Sequence, residues 1–347
     1  MMRYQLLGKS GLRVSELALG TMTFGTDWNW GADRETSSKI FDAYAEAGGN
    51  FVDTSNNYTN GTSERFVGEF IAKERDRFVV ATKYTLCLQT GNRRNFNEGG
   101  NSRKSMMRSV ENSLRRLNTE YIDVLYLHMW DFMTPVEEVL RGMDDLVRAG
   151  KVLYAGFSDT PAWVIAQATA LAHCHGWSPP VVAQVPYSFA RRDPERAILP
   201  MARTLGLAVA AWGVLGGGVY TGKYNGESDA PKRYANASEQ AKSVAASVVE
   251  MAGELGCTPA QLAINWAKQQ ANVIPIVGAR TEAQMLENLG ALDFTLTAAQ
   301  LTRLSNLNPY SNGFPLDFLT NEEVRELIFG ESYDYLDIAS PALASLA

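Results

Sequence analysis

The chain has 347 residues, 46% of them hydrophobic and 20% charged, the balance of a globular protein long enough to bury a large core. Its net charge of −6 and pI near 5.3 leave no basic face for phosphate backbones, so nucleic acid is excluded as a partner and a small molecule is favoured. No apolar run nears the roughly 20 residues that cross a bilayer. Met1 to Leu12 lack a signal-peptide core, and Cys87, Cys174 and Cys257 form neither a disulfide framework nor a zinc pattern. The expectation is a cytoplasmic protein with no membrane partner, to which homo-oligomerisation stays open.

Met2 to Val14, with a Gly8-Lys9-Ser10-Gly11 turn between short extended runs, predicts a β-hairpin that could plug the floor of a barrel. Eight strand-like runs come next: Glu16 to Gly20, Asn50 to Thr54, Phe78 to Lys83, Ile122 to His128, Val152 to Phe157, Val181 to Val185, Ala208 to Trp212 and Val273 to Val277. Amphipathic helical segments separate them, such as Met107, Val110, Leu114 and Leu117, or Val136, Val139, Leu140, Met143 and Val147. Eight β-then-α units without a composition break fit a closed (β/α)8 TIM barrel over residues 1–347 better than an open doubly wound sheet. The unpatterned stretches Tyr84 to Asn101 and Gly213 to Ala237 would sit on the rim as candidate lids, and a third unpatterned stretch runs from Pro309 to the end.

Four ionisable residues stand at or beyond strand ends: Asp53, Tyr58, Lys83 and His128. In a barrel those ends converge, bringing together residues 25 and 45 positions apart. Together they suit carbonyl reduction, in which hydride arriving at carbon leaves an alkoxide that needs a proton. Tyr58 is the candidate acid; Lys83 would lower its pKa from about 10, Asp53 would hold Lys83, and His128 would hydrogen-bond the substrate oxygen or shuttle the proton. Taken singly, each has an ordinary alternative as cap, packing group or solvated charge. Trp28, Trp30, Tyr84 and Trp130 are candidate walls for a bulky or aromatic carbonyl or alcohol, or equally ordinary core residues.

Two loops suggest a nucleotide. Ala211-Trp212-Gly213-Val214-Leu215-Gly216-Gly217-Gly218 has glycines that let backbone approach a pyrophosphate, Lys223 to pair with it, and Trp212 as a flat face for a nicotinamide. The P-loop reading of Gly217 to Lys223 fails at Tyr224, which lacks the magnesium-binding hydroxyl of Ser or Thr. After the last strand, Gly278-Ala-Arg280-Thr281-Glu-Ala-Gln284 predicts a glycine turn and a helix start with a Thr281/Gln284 capping box. Phosphate suits that position, and Arg280 suits the 2′-phosphate of NADP(H). His173-Cys174-His175 offers no metal site, because alternate helical positions face apart; no metal is expected.

Asn50-Phe-Val-Asp53-Thr-Ser-Asn-Asn-Tyr58, Ala81-Thr-Lys83 and Asp123-Val-Leu-Tyr-Leu-His128 resemble signature segments of the aldo-keto reductase superfamily, over nearly the whole chain. Within it, Asp33 to Lys83 and the triple glycine are most similar to the aryl-alcohol dehydrogenase branch and its potassium-channel β-subunit relative. The resemblance implies that Asp53, Tyr58, Lys83 and His128 form a catalytic tetrad using NADP(H). It also implies that Ser158, Asp159 and Gln184 meet the carboxamide, Gly20, Thr21 and Met22 the ribose and ring, Arg233 the phosphates, and Gly278, Arg280, Gln284, Glu287 and Asn288 the adenosine end. Two segments depart from the pattern: Ser158-Asp159 stands where relatives carry Ser-Asn or Ser-Arg, and Gly213-Val214-Leu215 where they carry Ser-Pro-Leu. The Asp can accept from an amide NH2 but cannot donate. Competing expectations are a slow NADPH-binding redox-sensing subunit and a hydrolase pairing Asp53 with another carboxylate.

Overall fold

The computed structural model describes residues 1–88, 95–221 and 238–335. Strands β1 (Tyr4–Leu6) and β2 (Arg13–Ser15) form an antiparallel hairpin. Eight parallel strands then close a barrel in chain order: β3 (Ala18–Gly20), β4 (Phe51–Asp53), β5 (Val79–Tyr84), β6 (Ile122–Leu127), β7 (Val152–Ser158), β8 (Pro180–Pro186), β9 (Ala208–Trp212) and β10 (Val273–Val277), with β10 beside β3. This is a (β/α)8 barrel.

Helices α1 (Arg34–Glu46), α2 (Thr62–Ile71), α3 (Arg103–Leu117), α4 (Val136–Arg148), α5 (Ala162–His175) and α6 (Ile198–Leu205) follow β3, β4, β5, β6, β7 and β8 in turn. Two helices, α7 (Glu239–Leu255) and α8 (Pro259–Lys268), separate β9 from β10. α9 (Glu282–Leu289) and α10 (Ala298–Ser305) follow β10. The stretch from Pro309 is not wholly irregular, since it carries the short helices α11 (Leu316–Leu319) and α12 (Glu322–Phe329). They escape sequence patterning because neither buries an apolar stripe: Phe318, Leu319, Leu327, Ile328 and Phe329 are all exposed. The candidate lids fall partly on 89–94 and 222–237, outside the described residues.

Period-two alternation divides the strands between two cores. Phe51, Val79, Ala81, Val124, Tyr126, Val182, Ala208, Ala210 and Ile274 fill the barrel interior. Their neighbours Val52, Val80, Leu125, Leu127, Ala183 and Val209 pack outward against the helices. The hairpin closes the N-terminal end, with Leu7 and Val14 fully buried in the interior cluster. Three polar links tie the outer layer together and to the strands. Thr82 Oγ1 donates to Glu64 Oε1 at 2.6 Å, Arg116 pairs with Glu64 Oε2 at 2.6 Å, and Arg75 pairs with Asp123 Oδ2 at 2.6 Å.

Gly8 makes the floor contact possible. It has φ +59, and a Cβ there would overlap the Val181 carbonyl oxygen and lie 2.9 Å from that of Gly206. Gly8→Val should therefore destabilise the fold by roughly 1–3 kcal/mol, by overpacking and left-handed strain together. Urea unfolding measures this, and an unchanged midpoint would mean that the hairpin is not docked on the barrel.

Candidate active site

The inward parity that buries Phe51, Ala81 and Tyr126 continues to the strand ends, where the inward positions become Asp53, Lys83 and, one residue past β6, His128. Register supports their convergence, because Asp53 pairs with Gly20 and Ala81, and Lys83 with Tyr126. Tyr58 opens a short 3-10 turn, Tyr58–Gly61, five residues after β4 ends.

Lys83 is fully buried, and its ammonium has three donors to satisfy. Its Nζ donates to Asp53 Oδ2 at 2.7 Å, to the Thr54 carbonyl at 2.7 Å and to Tyr58 Oη at 3.3 Å. The other Asp53 oxygen accepts from Gln184 Nε2 at 2.7 Å, across the barrel. Because the Tyr58 oxygen accepts from Lys83, the phenol's own proton is left for another acceptor. Burial pulls the Lys83 ammonium down, but the Asp53 carboxylate and Tyr58 outweigh it and set the group above its ordinary value. Burial likewise pushes the Tyr58 phenol up, Lys83 draws it back and Asp53 pushes it further up, leaving it above an ordinary phenol. This corrects the sequence expectation: Lys83 does favour the tyrosinate, but desolvation wins.

His128 is buried, and burial, with Lys83 nearby, holds its imidazole well below the usual range, so it is neutral at pH 7. Its Nδ1 stands 3.1 Å from Ser55 Oγ, and the Ser55 hydroxyl has its one proton to share between Nδ1 and Asn57 Oδ1, to which it donates at 2.8 Å. When the Ser55 proton goes to Nδ1, the imidazole's own proton sits on Nε2. Sequence reasoning passed over Ser55, although its place two residues beyond β4 was a signal for it.

A cavity of about 1110 Å³ runs from Tyr58 and His128 to the start of α9, slightly above the roughly 300–1,000 Å³ of ordinary ligand pockets. Gly20, Met22, Asp53, Ser158, Asp159, Gln184 and Trp212 line its deep end. Gly213, Val214, Leu215, Gly216 and Gly217 line its middle, and Gly278, Arg280, Gln284, Glu287 and Asn288 its far end. Trp28 and Trp30 form a wall beside Tyr58, with ring centroids 5.8 Å apart and Trp28 edge-on to Tyr58 at 6.5 Å. Asn57, Leu86, Met129 and the segment Tyr187, Ser188, Ala190 and Arg191 after β8 also line it. Strand-end position alone pointed to these too.

Three expected residues lie elsewhere. Tyr84 has the outward parity opposite to Lys83, is fully buried in the outer core, and donates to the Asn101 carbonyl at 3.3 Å. Trp130 packs partly buried on that same core. Thr21 lies beneath the wall, donating to the Asp53 carbonyl at 3.0 Å. Lys223 and Arg233 are outside the described residues.

The cavity fits a dinucleotide on three observations. Ser158, at the deep end, has a buried hydroxyl with no hydrogen-bond partner. Gly217 and Gly218, with φ of 64° and 90°, carry the wall in a conformation that brings bare backbone to the cavity. At the far end Thr281 caps α9 by accepting from the Gln284 amide at 3.2 Å. The capping box is only half made, because Gln284 Oε1 returns to the Arg280 N–H at 2.9 Å rather than to Thr281. Among the described residues no helix is long and apolar enough to cross a membrane.

The sequence profile of the Aldo/keto reductase family matches residues 16–309. The chain is 39% identical over 322 residues to a norsolorinic acid reductase of Aspergillus flavus, covering 90% of this chain and 83% of that one. It is 38% identical over 360 residues to an aryl-alcohol dehydrogenase [NADP(+)] of Phanerodontia chrysosporium, covering 95% and 89%. With a putative aryl-alcohol dehydrogenase of Saccharomyces cerevisiae it shares 38% identity over 341 residues, covering 92% and 90%. A closed parallel barrel whose inward strand ends gather Asp53, Lys83 and His128 beside Tyr58, in a chain matched by that profile over most of its length, belongs to the aldo/keto reductase family.

Proposed function

We propose that this protein is an NADPH-dependent oxidoreductase that interconverts aromatic or bulky aldehydes or ketones and their alcohols, with Tyr58 as the proton donor. The observation that carries the reading is the Lys83 ammonium held between Asp53 Oδ2 and Tyr58 Oη at the deep end of the cavity. When bound, the nicotinamide supplies the hydride. As hydride reaches the carbonyl carbon, the substrate oxygen gains negative charge and takes the Tyr58 proton; Lys83, already donating to that phenol oxygen, steadies the tyrosinate. Asp53 keeps Lys83 charged, and the neutral His128 orients the substrate oxygen by a hydrogen bond from Nε2 in the tautomer that has Ser55 donating to Nδ1.

Ser158 and Gln184 would hold the carboxamide, Trp212 the ring, the Gly216–Gly218 backbone the pyrophosphate, and the Gly278–Asn288 segment the adenosine with its 2′-phosphate at Arg280. Lys223 and Arg233 remain candidates for the phosphates. The Trp28–Trp30 wall with Leu86 and Met129 suits a flat apolar substrate, in keeping with the aryl-alcohol and norsolorinic acid names of the relatives. Incubating the protein with NADPH and a panel of aromatic and aliphatic carbonyls tests this directly. Loss of the reduced-nicotinamide absorbance with aromatic members supports the reading, tight binding without turnover would make the protein a redox-sensing subunit instead, and no binding would sink both.

Tyr58→Phe keeps the ring but removes the proton, so carbonyl reduction should fall by roughly a hundred- to ten-thousandfold with NADPH affinity preserved. Substantial residual reduction would assign the acid elsewhere. The raised phenol sets a pH signature whose sign is fixed by the direction of the shift. Tyr58 is protonated through neutral pH, so reduction should be flat there, whereas alcohol oxidation needs the tyrosinate and should rise up to about tenfold per pH unit into the alkaline range. Initial rates in both directions from about pH 6 to 10 decide it, and a decline in oxidation with rising pH contradicts the assignment. Arg280→Ala should weaken NADPH by roughly ten- to a hundredfold, the worth of a charge-assisted contact, and NADH far less. Equal losses, measured by calorimetry, would move the 2′-phosphate away from Arg280.

A further inference from the structure

Asp159 is a second carboxylate at the deep end of the cavity, one residue beyond β7. Its backbone, at φ +40, is in the left-handed region, which Asp tolerates better than most residues. That conformation is held from two sides: its N–H donates to the Gln184 carbonyl at 3.1 Å, and its carbonyl accepts from the Trp130 N–H at 3.4 Å. The barrel therefore fixes where the side chain points. Its Oδ1 accepts from Trp212 Nε1 at 3.2 Å, at the edge of the ring proposed as the nicotinamide shelf.

The charge of Asp159 is felt by the reacting groups. Burial sets the Asp159 carboxyl above its ordinary value, while the Trp212 hydrogen bond, Lys83 and Arg191 draw it back toward the ionised form; Asp159 in turn adds a small upward push on the Tyr58 phenol. With His128 neutral, this end of the cavity holds two carboxylates, Asp53 and Asp159, against the single ammonium of Lys83. Arg191 lines the same cavity but is largely exposed and lies 3.8 Å from Asp193, so it offsets that excess only in part.

We infer that the Asp159 carboxylate, anchored on the edge of Trp212, makes the cavity select the oxidised cofactor over the reduced one. The inference rests on the proposed nicotinamide site. Oxidised and reduced nicotinamides differ on the ring, by one positive charge together with the hydrogen and aromaticity that go with it, and by nothing at the phosphates or adenosine. The ratio of their affinities therefore reports the environment of the ring, and its change on a substitution that removes only charge reports the field there. A fixed carboxylate a few ångströms away in a partly dry cavity changes such a ratio by about tenfold or more. The bound equilibrium is then drawn toward carbonyl reduction, and the spent nucleotide is held longer than the fresh one.

The test is the ratio of the dissociation constants of NADP+ and NADPH, by calorimetry on the intact protein without substrate. Asp159→Asn keeps the shape and an oxygen acceptor for Trp212 Nε1 while removing the charge. It should weaken NADP+ relative to NADPH by about tenfold. Arg191→Gln removes the partial counter-charge and should move the ratio the opposite way by a smaller factor. A variant Asp159→Asn that binds both nucleotides in the wild-type ratio overturns the inference. Should that variant not fold, Arg191→Gln decides alone, and a ratio that is unmoved or moved toward NADPH overturns it. Wild-type protein that binds neither nucleotide overturns the nicotinamide reading, and this inference with it, a result distinct from binding without discrimination.

Discussion

An ammonium buried inside a barrel is the constraint on which the rest of this molecule is arranged. Taking a charge out of water costs several kcal/mol even after relaxation, and that cost is offset only if each of its donors finds an acceptor. Lys83 finds them in the Asp53 carboxylate, the Thr54 carbonyl and the Tyr58 oxygen, all within six residues at the end of β4. The arrangement depends on register. A slip of one residue in β5 would turn Lys83 outward among the helices and bring Thr82 or Tyr84 inward, neither of which can supply the cation. It depends on closure too, because Gln184, which engages the second Asp53 oxygen, comes from β8 on the far side of the barrel.

The same parity explains how much can be read from the sequence. Strand positions two apart share a face, so once Phe51, Ala81 and Tyr126 are placed in the interior, Asp53, Lys83 and His128 fall into line, and so do Gln184 beyond Val182 and Trp212 beyond Ala210. Placing Tyr84 on the cavity breaks that rule, since it is adjacent to Lys83 and must face the other way. Trp130 is beyond the rule's reach. It lies three residues past β6, where the path of the loop, not the alternation of the strand, sets the direction of a side chain.

Two further features need three dimensions for a different reason: they are balances between opposed terms. The sequence shows a cation able to lower the Tyr58 phenol, but not how much water the barrel mouth removes, and removal of water outweighs the cation. Likewise Thr281 and Gln284 have the spacing of a reciprocal cap, yet the strand β10 and its glycine turn deliver the Arg280 N–H to the glutamine first. Spacing names which groups can meet. Competition among donors decides which of them do.

A phenol held above its ordinary value fits the role of acid rather than conflicting with it. A donor that must give up its proton only when charge develops on the substrate should remain protonated until then, and burial keeps it so. What makes the late transfer feasible is not a low resting pKa but a tyrosinate partner already within reach, the Lys83 ammonium at 3.3 Å. The carboxylates push the other way, both Asp53 and Asp159 raising the phenol. The field inferred to favour positive charge on the cofactor ring would also keep the proton on Tyr58, so a single excess of negative charge would serve hydride departure and proton retention together.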